Sequence, residues 1–336
     1  MQAEELIRTG AAGMIAVRKG SSSVAQRFRY ELPARWSARS NAAPAAKFVQ
    51  LQRDDATDAF VERASTTQKI GWLTTRLHRV LRKFQSDFDV NGLLNAYPLH
   101  LCSTEQLREL LRGAGAPASF GKAMDIGAGV GLVTDELRPL CDAVVTAETS
   151  QGMAKRLRAA GYECWEEDLA ETVGGRAYSH AGAARGTELA ERPRAEQEGS
   201  FELVSMLNVI DRSRQPAGLL RAAHRLLDPE RGWLLLATPL PYRPFFYNGA
   251  RTFAPIAEES LALPRARQWK PQEGGGEEEE WALHAERLLE RVLPQHGFEV
   301  VAFSRLPYIS AGDADEDLAF LDDVMLLARP VRLRVP

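Results

Sequence analysis

The chain has 336 residues, of which 45% are apolar and 26% are charged, and its net charge is −3. This composition supplies a buried core and excludes wholesale disorder and fibrous repeats. The three cysteines, Cys102, Cys141 and Cys164, are far apart, which excludes a disulfide framework and a CxxC-type zinc or redox site. No stretch approaches the roughly 20 consecutive apolar residues of a membrane helix, so we expect no stable membrane insertion.

Positive charge is concentrated at the N-terminus. Residues 1–53 hold nine Lys or Arg and three acidic residues, a net charge of +6, so the remaining residues carry −9. A nucleic-acid-binding protein is expected to carry its positive charge on the folded part. Because the rest of this chain is acidic, we expect no nucleic-acid partner, and a neutral or basic partner fits better.

The N-terminal residues are rich in Ser, Ala and Arg and show no lasting apolar period. This pattern predicts a basic, disordered tail over 1–54. An organelle transit peptide has the same composition, although Glu4 and Glu5 are unusual in one. The expected compartment is therefore the cytoplasm or an organelle.

Two regions follow the tail. Over 55–116 apolar residues recur at three- and four-residue spacings, which predicts N-terminal helices, one of them opened by a capping box of Ser103 and Gln106. Over 117–332 short apolar strands alternate with helical segments, which predicts an α/β domain with a seven-stranded, mostly parallel sheet and helices on both faces. The last two strands have no helix between them, so the last strand is expected to pair antiparallel.

The predicted elements of this domain follow the alternation closely. The strands are expected at 122–129, 143–148, 162–168, 201–207, 232–240, 299–306 and 322–331, and the helices near 131–138, 150–160, 216–227 and 281–295. Two segments interrupt the pattern. Residues 171–199 are small, polar and aperiodic, which predicts a disordered insertion. Residues 274–280 read GGGEEEE, which predicts a solvated acidic loop ahead of a helix.

A glycine-rich loop, DIGAGVG at 125–131, lies where the first strand turns into the first helix. Its glycines, Gly127, Gly129 and Gly131, let the backbone approach a ligand closely at a helix N-terminus. A dinucleotide fingerprint requires its third glycine at position 132, which is Leu132 here. The loop therefore favours a cofactor without a pyrophosphate, and a tight turn without a ligand is the alternative.

Two acids follow the next strands. Glu148 ends the second strand, where a carboxylate can accept hydrogen bonds from both hydroxyls of a ribose. A solvated strand-end acid is the alternative interpretation. Asp168 follows the third strand and is the candidate to lie near an adenine amine.

Asn208 and Asp211 follow the fourth strand. The strand ends at the switch point of a doubly wound sheet line its ligand crevice, so both residues are candidates to face the reacting group. Asp211 could instead stabilise the start of the next helix, for which Ser213 is the better cap. The six histidines show neither HxH nor HExxH spacing, so we expect no metal.

The chain resembles the DREV family of class I S-adenosylmethionine-dependent methyltransferases. The similarity runs in order over about 47–332, and the segments outside the glycine loop make it specific. The matching segments are DVNGLL at 89–94, DIGAGVG at 125–131, AETS at 147–150, LNVIDR at 207–212, LPYRP at 240–244, RLPY at 305–308 and LDD at 321–323.

The resemblance implies a Rossmann-like fold and methylation of the pros nitrogen of histidine in His-x-His motifs of proteins, with a small middle residue. S-adenosylmethionine would be the methyl donor and S-adenosylhomocysteine the product. The residues implied to hold the cofactor are Asp125, Gly127, Gly129 and Glu148, to which the loop and strand pattern adds Gly131, Asp168 and Asn208. Those implied to surround the target imidazole are Asn208, Asp211 and Tyr308.

Three functions remain open at this point. The first is a monomeric protein-histidine methyltransferase, whose acidic acceptor at Asp211 would hold the tele N–H and leave the pros lone pair free. The second is a methyltransferase for a small imidazole or lipid-like molecule. The third is a scaffold that binds the cofactor without catalysis. The aromatic residues that could form a pocket for a small molecule are Tyr242, Phe245, Phe246 and Tyr247.

Overall fold

The structure of the protein is a computed structural model that describes residues 15–17, 27–37, 44–66, 71–170, 197–264, 276–312 and 318–332. All but the last three residues of the insertion predicted over 171–199 lie outside these ranges. The α-helices are α1 Ala34–Ser37, α2 Asp55–Thr66, α3 Trp72–Leu81, α4 Asp87–Leu94, α5 Thr104–Gly113, α6 Thr134–Leu137, α7 Gln151–Ala159, α8 Pro216–Leu226, α9 Gly276–Arg287 and α10 Leu293–Gln295.

The strands alternate with these helices along the C-terminal two thirds of the chain. They are β1 Ile15–Val17, β2 Leu99–His100, β3 Phe120–Ile126, β4 Cys141–Ala147, β5 Glu163–Trp165, β6 Leu203–Leu207, β7 Trp233–Pro239, β8 Phe246–Asn248, β9 Arg251–Phe253, β10 Phe298–Ala311 and β11 Leu318–Pro330. A π-helical turn at Leu288–Val292 joins α9 to α10. Short 3₁₀ turns occupy Ala45–Lys47, Arg138–Leu140 and Ala257–Glu259.

One large sheet organises the molecule. Its strands follow the order β2-β10-β11-β7-β6-β3-β4-β5. Strands β3 to β7 pair in parallel, and β11 is antiparallel to both of its neighbours, β7 and β10. The predicted α/β fold, with a mostly parallel sheet and an antiparallel last strand, is confirmed.

The predicted count of seven strands is wrong, because two short strands extend the sheet. Leu99–His100 pairs with Ser310 and Ile309 at one edge. Strand β7 covers β11 only from Asp323 onward, so the other end of β11 is free to pair with β1. Strands of two and three residues are too short to leave an apolar period in the sequence.

Helices cover both faces of the sheet, as predicted. On one face α8 and α9 supply part of the main core, which includes Trp281 and Leu220. On the other face α5 contributes Leu107 and Leu110. The capping box of α5 forms as expected, with the Ser103 hydroxyl accepting from the Gln106 N–H at 3.1 Å and the Gln106 amide accepting from the Ser103 N–H at 3.0 Å.

Parts of the segment predicted as a tail pack into the fold. Tyr30, Trp36 and Leu51 are buried. The Trp36 ring meets the rings of Trp281 at 6.2 Å and Phe303 at 5.7 Å, both edge to face. The stretches 27–37 and 44–54 therefore differ from the prediction of a disordered tail, because single aromatic anchors between arginines produce no periodic pattern. The rest of 1–54, apart from β1, lies outside the described residues.

The acidic stretch predicted as a solvated loop instead begins helix α9. Glu278, in its first turn, binds the buried guanidinium of Arg305 at 2.7 Å and 3.0 Å. Asp322 binds the same guanidinium at 2.6 Å and 2.9 Å, and Arg29 binds Asp322 at 3.1 Å. Burial by itself lowers the pKa of Arg305, but the hydrogen bonds and charges of the two carboxylates outweigh burial and raise it. Glu278 is thus a partner of a buried cation as well as a favourable charge at a helix N-terminus.

Helix α3 forms as predicted and presents its apolar residues to solvent. Leu73, Leu77 and Val80 are exposed, while Thr75 and His78 are buried. The periodicity correctly predicts the helix, but a periodic stripe does not reveal which side of the helix meets the protein.

Replacing Arg305 with leucine should lower the free energy of unfolding by about 3 kcal/mol, since it leaves two carboxylates near a buried position without their common partner. Denaturant unfolding measures this change. Arg231→Leu is the matched control, because Arg231 pairs with Asp228 with 70% of its own side chain exposed and should cost less than about 1 kcal/mol. Equal losses of unfolding free energy in both variants would contradict the proposed contribution of the Arg305 ion pairs to stability.

Candidate functional site

The glycine loop lies after β3 with three glycines at positive φ. The φ angles are 73° at Gly127, 60° at Gly129 and 94° at Gly131. A Cβ on Gly127 would come within 2.5 Å of the Val209 side chain, so both backbone shape and close packing require glycine there. A Cβ on Gly129 would meet no atom within 4 Å. The loop thus packs against the protein at Gly127 and is open at Gly129.

Glu148 ties this loop to the end of β4. One carboxylate oxygen accepts the Gly129 N–H at 2.9 Å, and the other accepts the Ser150 N–H at 2.8 Å. Burial raises the pKa of Glu148, and the backbone N–H donors partly offset that rise. The structure therefore brings together the glycine loop and Glu148, the two strongest sequence candidates for cofactor binding. Each carboxylate oxygen of Glu148 can accept another hydrogen bond in addition to the one from the backbone.

Asp125 points in a different direction from the open side of the loop. Its carboxylate accepts the hydroxyls of Thr134 and Ser205, each at 2.6 Å. Burial raises the pKa of Asp125 to about 6, and the two hydroxyls oppose this rise. In this structure Asp125 supports the loop from within the core, and direct contact with a cofactor stays a prediction.

The two remaining cofactor candidates on this side differ in environment. Gly131 packs against α7, since a Cβ there would lie 3.1 Å from Leu157. Asp168 is exposed and accepts the Ala170 N–H at 2.9 Å. It follows β5, whose Trp165 carbonyl accepts the Glu148 N–H at 2.9 Å, so both acids lie at the same edge of the sheet. A contact of Asp168 with adenine stays a prediction.

Asn208 occupies a strained position at the end of β6. Its φ of 59° is rare for a residue other than glycine. Its backbone N–H donates to the Ala237 carbonyl at 2.9 Å. Both polar atoms of its side-chain amide are buried and make no hydrogen bond to a described residue within 3.5 Å, although the amide lies close enough to Asp323 to lower the pKa of that carboxyl group. Buried polar atoms are rarely left without a hydrogen bond, and strained backbone is concentrated at functional sites. The Asn208 amide is therefore a candidate to bind a ligand.

Asp211 has one carboxylate oxygen engaged and one unpaired. Oδ2 accepts from Arg212 Nε at 2.6 Å, and Oδ1 is buried without a hydrogen bond to the described residues. Asp211 therefore does not cap the next helix. Ser213 accepts the N–H of Gln215, which precedes α8, at 3.0 Å. The capping alternative is thus not supported, and Asp211 keeps an acceptor available.

Arg212 sits between Asp211 and a group of aromatic rings. Its guanidinium lies 4.8 Å from the ring centre of Phe245 and 5.8 Å from that of Phe88. Burial lowers the pKa of Arg212, but the charge of Asp211 and their hydrogen bond outweigh this and raise it. Sequence reasoning assigned no role to Arg212.

Tyr308 and Asp323 complete this side of the site from the antiparallel strands. Tyr308 lies opposite Leu321 and Asp323 opposite Leu306, so both side chains project from one face of the sheet. Burial raises the pKa of Tyr308, and the charges of Arg212, Asp323 and Asp211 all act on it. The structure thus groups Tyr308 with the residues after β6, as the resemblance implied.

Asp323 is the site residue that sequence reasoning missed. It is fully buried, and neither carboxylate oxygen makes a hydrogen bond to a described residue. Burial raises the pKa of Asp323 well above its ordinary value, opposed by the nearby Asn208 amide and Arg212 and reinforced by Asp211. The available signal was two adjacent acids, Asp322 and Asp323, inside an apolar strand, since neighbours in a strand must face opposite sides.

Helix α4 borders the glycine loop and Glu148. A Cβ on Gly92 would lie 2.7 Å from Met153, so α4 packs closely on α7. Arg156 donates to the Gly92 carbonyl at 2.5 Å. The charge of Asp89 contributes to the raised pKa of Glu148. The N-terminal helices therefore form part of the site's surroundings.

Three of the four aromatic residues considered for a small-molecule pocket lie near Asp211 and Arg212. Tyr242 is buried, donates its hydroxyl to the Ile210 carbonyl at 2.9 Å and feels the charge of Asp211. Phe245 and Tyr247 pack edge to face at 5.5 Å, and the charge of Arg212 acts on Tyr247. Phe246 instead stacks on Phe253 at 5.8 Å.

Within the described ranges, no group of three or more His, Cys, Asp or Glu side chains is arranged to hold a metal ion. Of the helices described, none combines the length and apolar character needed to cross a membrane. That the protein requires no metal ion remains a prediction.

Three solved structures resemble the chain. A Bacillus halodurans C-125 protein described as a methyltransferase shares 15% identity, with 68% of this chain and 100% of that chain covered and a TM-score of 0.39. A Haloferax volcanii protein, in complex with the Trm112 methyltransferase activator, shares 12% identity over 74% and 99%, with a TM-score of 0.40. A Pyrococcus horikoshii protein described as an RNA methyltransferase shares 12% identity over 78% and 98%, with a TM-score of 0.36.

A family model matches most of the chain. The model described as DREV methyltransferase aligns with residues 38–173 and 188–330. These residues include the glycine loop, Glu148, Asn208, Asp211, Tyr308 and Asp323.

Asp125→Asn should flatten the pH dependence of stability. Because the pKa of Asp125 is raised from 3.8 to about 6, the folded state binds this proton more tightly than the unfolded chain does. Its stabilising contribution is complete below pH 3.8 and is lost as pH rises through about 6, a change of about 3 kcal/mol. The variant lacks this loss, so it should gain stability relative to the wild type across that window.

Denaturant unfolding at several pH values measures this difference. Ser205→Ala removes a hydroxyl that donates to the ionised carboxylate, so it should move the transition to higher pH. A constant difference in unfolding free energy between wild type and Asp125→Asn would show that the folded pKa is not raised.

Proposed function

The chain belongs to the DREV methyltransferase family, and from that premise we propose that it methylates the pros nitrogen of a protein histidine within His-x-His motifs, using S-adenosylmethionine. The products are pros-methylhistidine and S-adenosylhomocysteine. The observation that carries the proposal is the cluster of Asn208, Asp211 and Asp323, whose buried polar atoms lack partners among the described residues. Asn208 and Asp211 follow β6, the strand next to the one that leads into the glycine loop, and Asp323 lies on β11.

The residues on the loop side fit the proposed cofactor. Ribose hydroxyls donate hydrogen bonds, and the nearly buried Glu148 carboxylate retains acceptor capacity. The open side of Gly129 allows a ligand to approach the backbone. When bound, S-adenosylmethionine supplies an electrophilic methyl group on a sulfonium centre. Glu148 and the loop would hold the nucleoside part, with Asp168 as the proposed contact of the adenine amine.

The target side requires a neutral imidazole held in one tautomer. Histidine has a pKa of about 6.5, so at neutral pH most of it is already a nucleophile and no strong base is needed. Asp211 Oδ1 is the proposed acceptor of the tele N–H, which leaves the pros lone pair free. Arg212 holds the Asp211 carboxylate in place through its hydrogen bond to Oδ2 at 2.6 Å. The same carboxylate would stabilise the imidazolium that forms as the pros nitrogen gives its electron pair to the methyl carbon. The electrons of the broken carbon–sulfur bond would stay on the sulfur of S-adenosylhomocysteine, and loss of the tele proton to water would give neutral pros-methylhistidine.

Asn208 and Tyr308 are proposed to orient the reactants. The unpaired amide of Asn208 offers one acceptor oxygen and one donor nitrogen, so it can fix either ring or donor without carrying charge. Tyr308 lies beside Arg212 and Asp323 and would exclude water from the site. Asp323 adds a buried carboxyl group near both Asn208 and Asp211. We propose that this carboxyl group makes the site interact more favourably with a group that becomes cationic during the reaction.

The alternatives receive less support. Of the four aromatic residues considered for a small acceptor, Phe246 packs away from the site on Phe253, so the set predicted for a small-molecule pocket is incomplete. A scaffold without catalysis would not require buried, unpaired polar atoms after β6, because such atoms lower stability unless a ligand pairs with them. A monomer in the cytoplasm or an organelle, acting on protein substrates, stays part of the proposal.

The deciding experiment incubates the purified chain with S-adenosylmethionine carrying a labelled methyl group and two matched peptides. One peptide contains His-x-His with a small middle residue, and the other has alanine at both histidines. We expect label only in the first, at the pros nitrogen by fragmentation and NMR. Label in neither peptide would overturn protein-histidine methylation. Calorimetric binding of the cofactor would then separate a small-molecule methyltransferase from a protein that does not use this cofactor.

Asp211→Asn should lower turnover of the His-x-His peptide about a hundredfold, because the variant loses the charged acceptor that selects the nitrogen and stabilises the developing cation. Calorimetry should show cofactor binding close to that of the wild type, which also demonstrates a folded variant. Asp142→Asn, on the exposed part of β4, is the matched control and should retain full turnover. Full activity of Asp211→Asn would refute its proposed role.

A further inference from the structure

Helix α3 and the turn after it carry an exposed apolar stripe, which we name the α3 stripe. Its exposed fractions run from 47% at Leu77 to 75% at Phe84. Leu73, Leu77 and Val80 are spaced by four and three residues, which places them along one line of the helix, and Phe84 lies in the turn just after it. Trp72, 64% exposed, extends the stripe at the helix start. Single exposed apolar side chains are ordinary, whereas a contiguous row marks an interaction surface.

The orientation of α3 is fixed by polar contacts on its other side. His78 is buried, and its Nε2 lies 2.7 Å from the Asn91 side-chain oxygen. The His78 ring also meets the Tyr97 ring at 5.1 Å. Arg82 binds the Asp87 carboxylate at 2.8 Å, just beyond the helix. A rotation of α3 about its axis that buried the stripe would break these contacts. The apolar side of the helix therefore faces outward, and its polar groups face the protein.

Basic residues flank the stripe, and acids are absent from its sequence. The segment 71–86 contains Arg76, Arg79, Arg82 and Lys83 and no Asp or Glu. On a helix, Arg76, Arg79 and Lys83 follow three- and four-residue spacings of their own, so they form a basic row beside the apolar one. Residues 1–53 carry a further net charge of +6.

We propose that the α3 stripe docks on an anionic lipid membrane surface. A helix with Trp, Leu and Phe on one side and Arg or Lys beside them is suited to lie in the membrane interface, with its apolar side among the acyl chains and its cations at the headgroups. A symmetric second copy fits less well, since two such faces would bring like charges together. The docking is peripheral, because α3 has only ten residues and a membrane span needs about 20.

Co-sedimentation of the full chain with vesicles tests this surface. We expect binding to vesicles of phosphatidylcholine with phosphatidylserine, weak binding to phosphatidylcholine alone, and release at high salt. Leu77→Asp with Phe84→Asp should abolish binding. Each of Arg76→Gln and Lys83→Gln should weaken it about fivefold, the factor that corresponds to about 1 kcal/mol per charge. Matched controls on other surfaces are Val331→Asp and Arg112→Gln, which should bind as the wild type does.

Three results would overturn the proposal. The first is equal binding to both kinds of vesicle, and the second is wild-type binding by the Leu77→Asp, Phe84→Asp variant. The third is a dimer in sedimentation that dissociates in this variant, because the stripe would then join two copies. Circular dichroism verifies that each variant folds. Vesicle binding is read without cofactor or peptide, so its outcome is independent of the proposed methyl transfer.

Discussion

The buried guanidinium of Arg305 is the interaction on which the arrangement of the site depends. It joins β10 to Asp322 on β11 and to Glu278 at the start of α9, and Asp322 also holds Arg29 from the N-terminal segment. A strand presents successive side chains to opposite faces. With Asp322 fixed toward Arg305, the next residue, Asp323, must project toward Asn208 and Tyr308. One ion-pair network therefore sets both the attachment of α9 and the position of a buried carboxyl group in the site.

Charge compensation in the site is local and incomplete. Asp211 and Asp323 are buried acids near one partly buried cation, Arg212, which binds only Asp211 directly. Burial of a carboxyl group favours its protonated form, which agrees with the raised pKa of Asp323. A neighbouring group that becomes cationic would instead favour the ionised form of Asp323, which would then compensate that charge. The site is thus less stable alone than with a cationic group, which is the electrostatic requirement for stabilising a transition state of that charge.

The sequence predicted those parts of the structure that depend on local patterns. Alternating strands and helices gave the sheet and its antiparallel end, and the glycine spacing with Glu148 gave the loop and its carboxylate partner. The sequence did not predict contacts between distant segments. The ion pair of Glu278 with Arg305 turns an expected solvated loop into a helix start, and Trp36 joins the core through rings more than 240 residues away in the chain. Neither contact produces a periodic pattern or a motif in the amino-acid sequence.

The sequence pattern of an amphipathic helix also does not show whether its apolar side faces the core or the solvent. The apolar residues of α3 predict a helix, and the usual inference is that such a stripe packs on the core. Here His78 settles the direction, because its hydrogen bond to Asn91 ties the polar side of α3 to the adjoining helix α4. Helix α4 in turn packs on α7, which begins just after Glu148. A continuous chain of packed helices, α3 on α4 and α4 on α7, therefore joins the exposed stripe to the segment that begins just after Glu148.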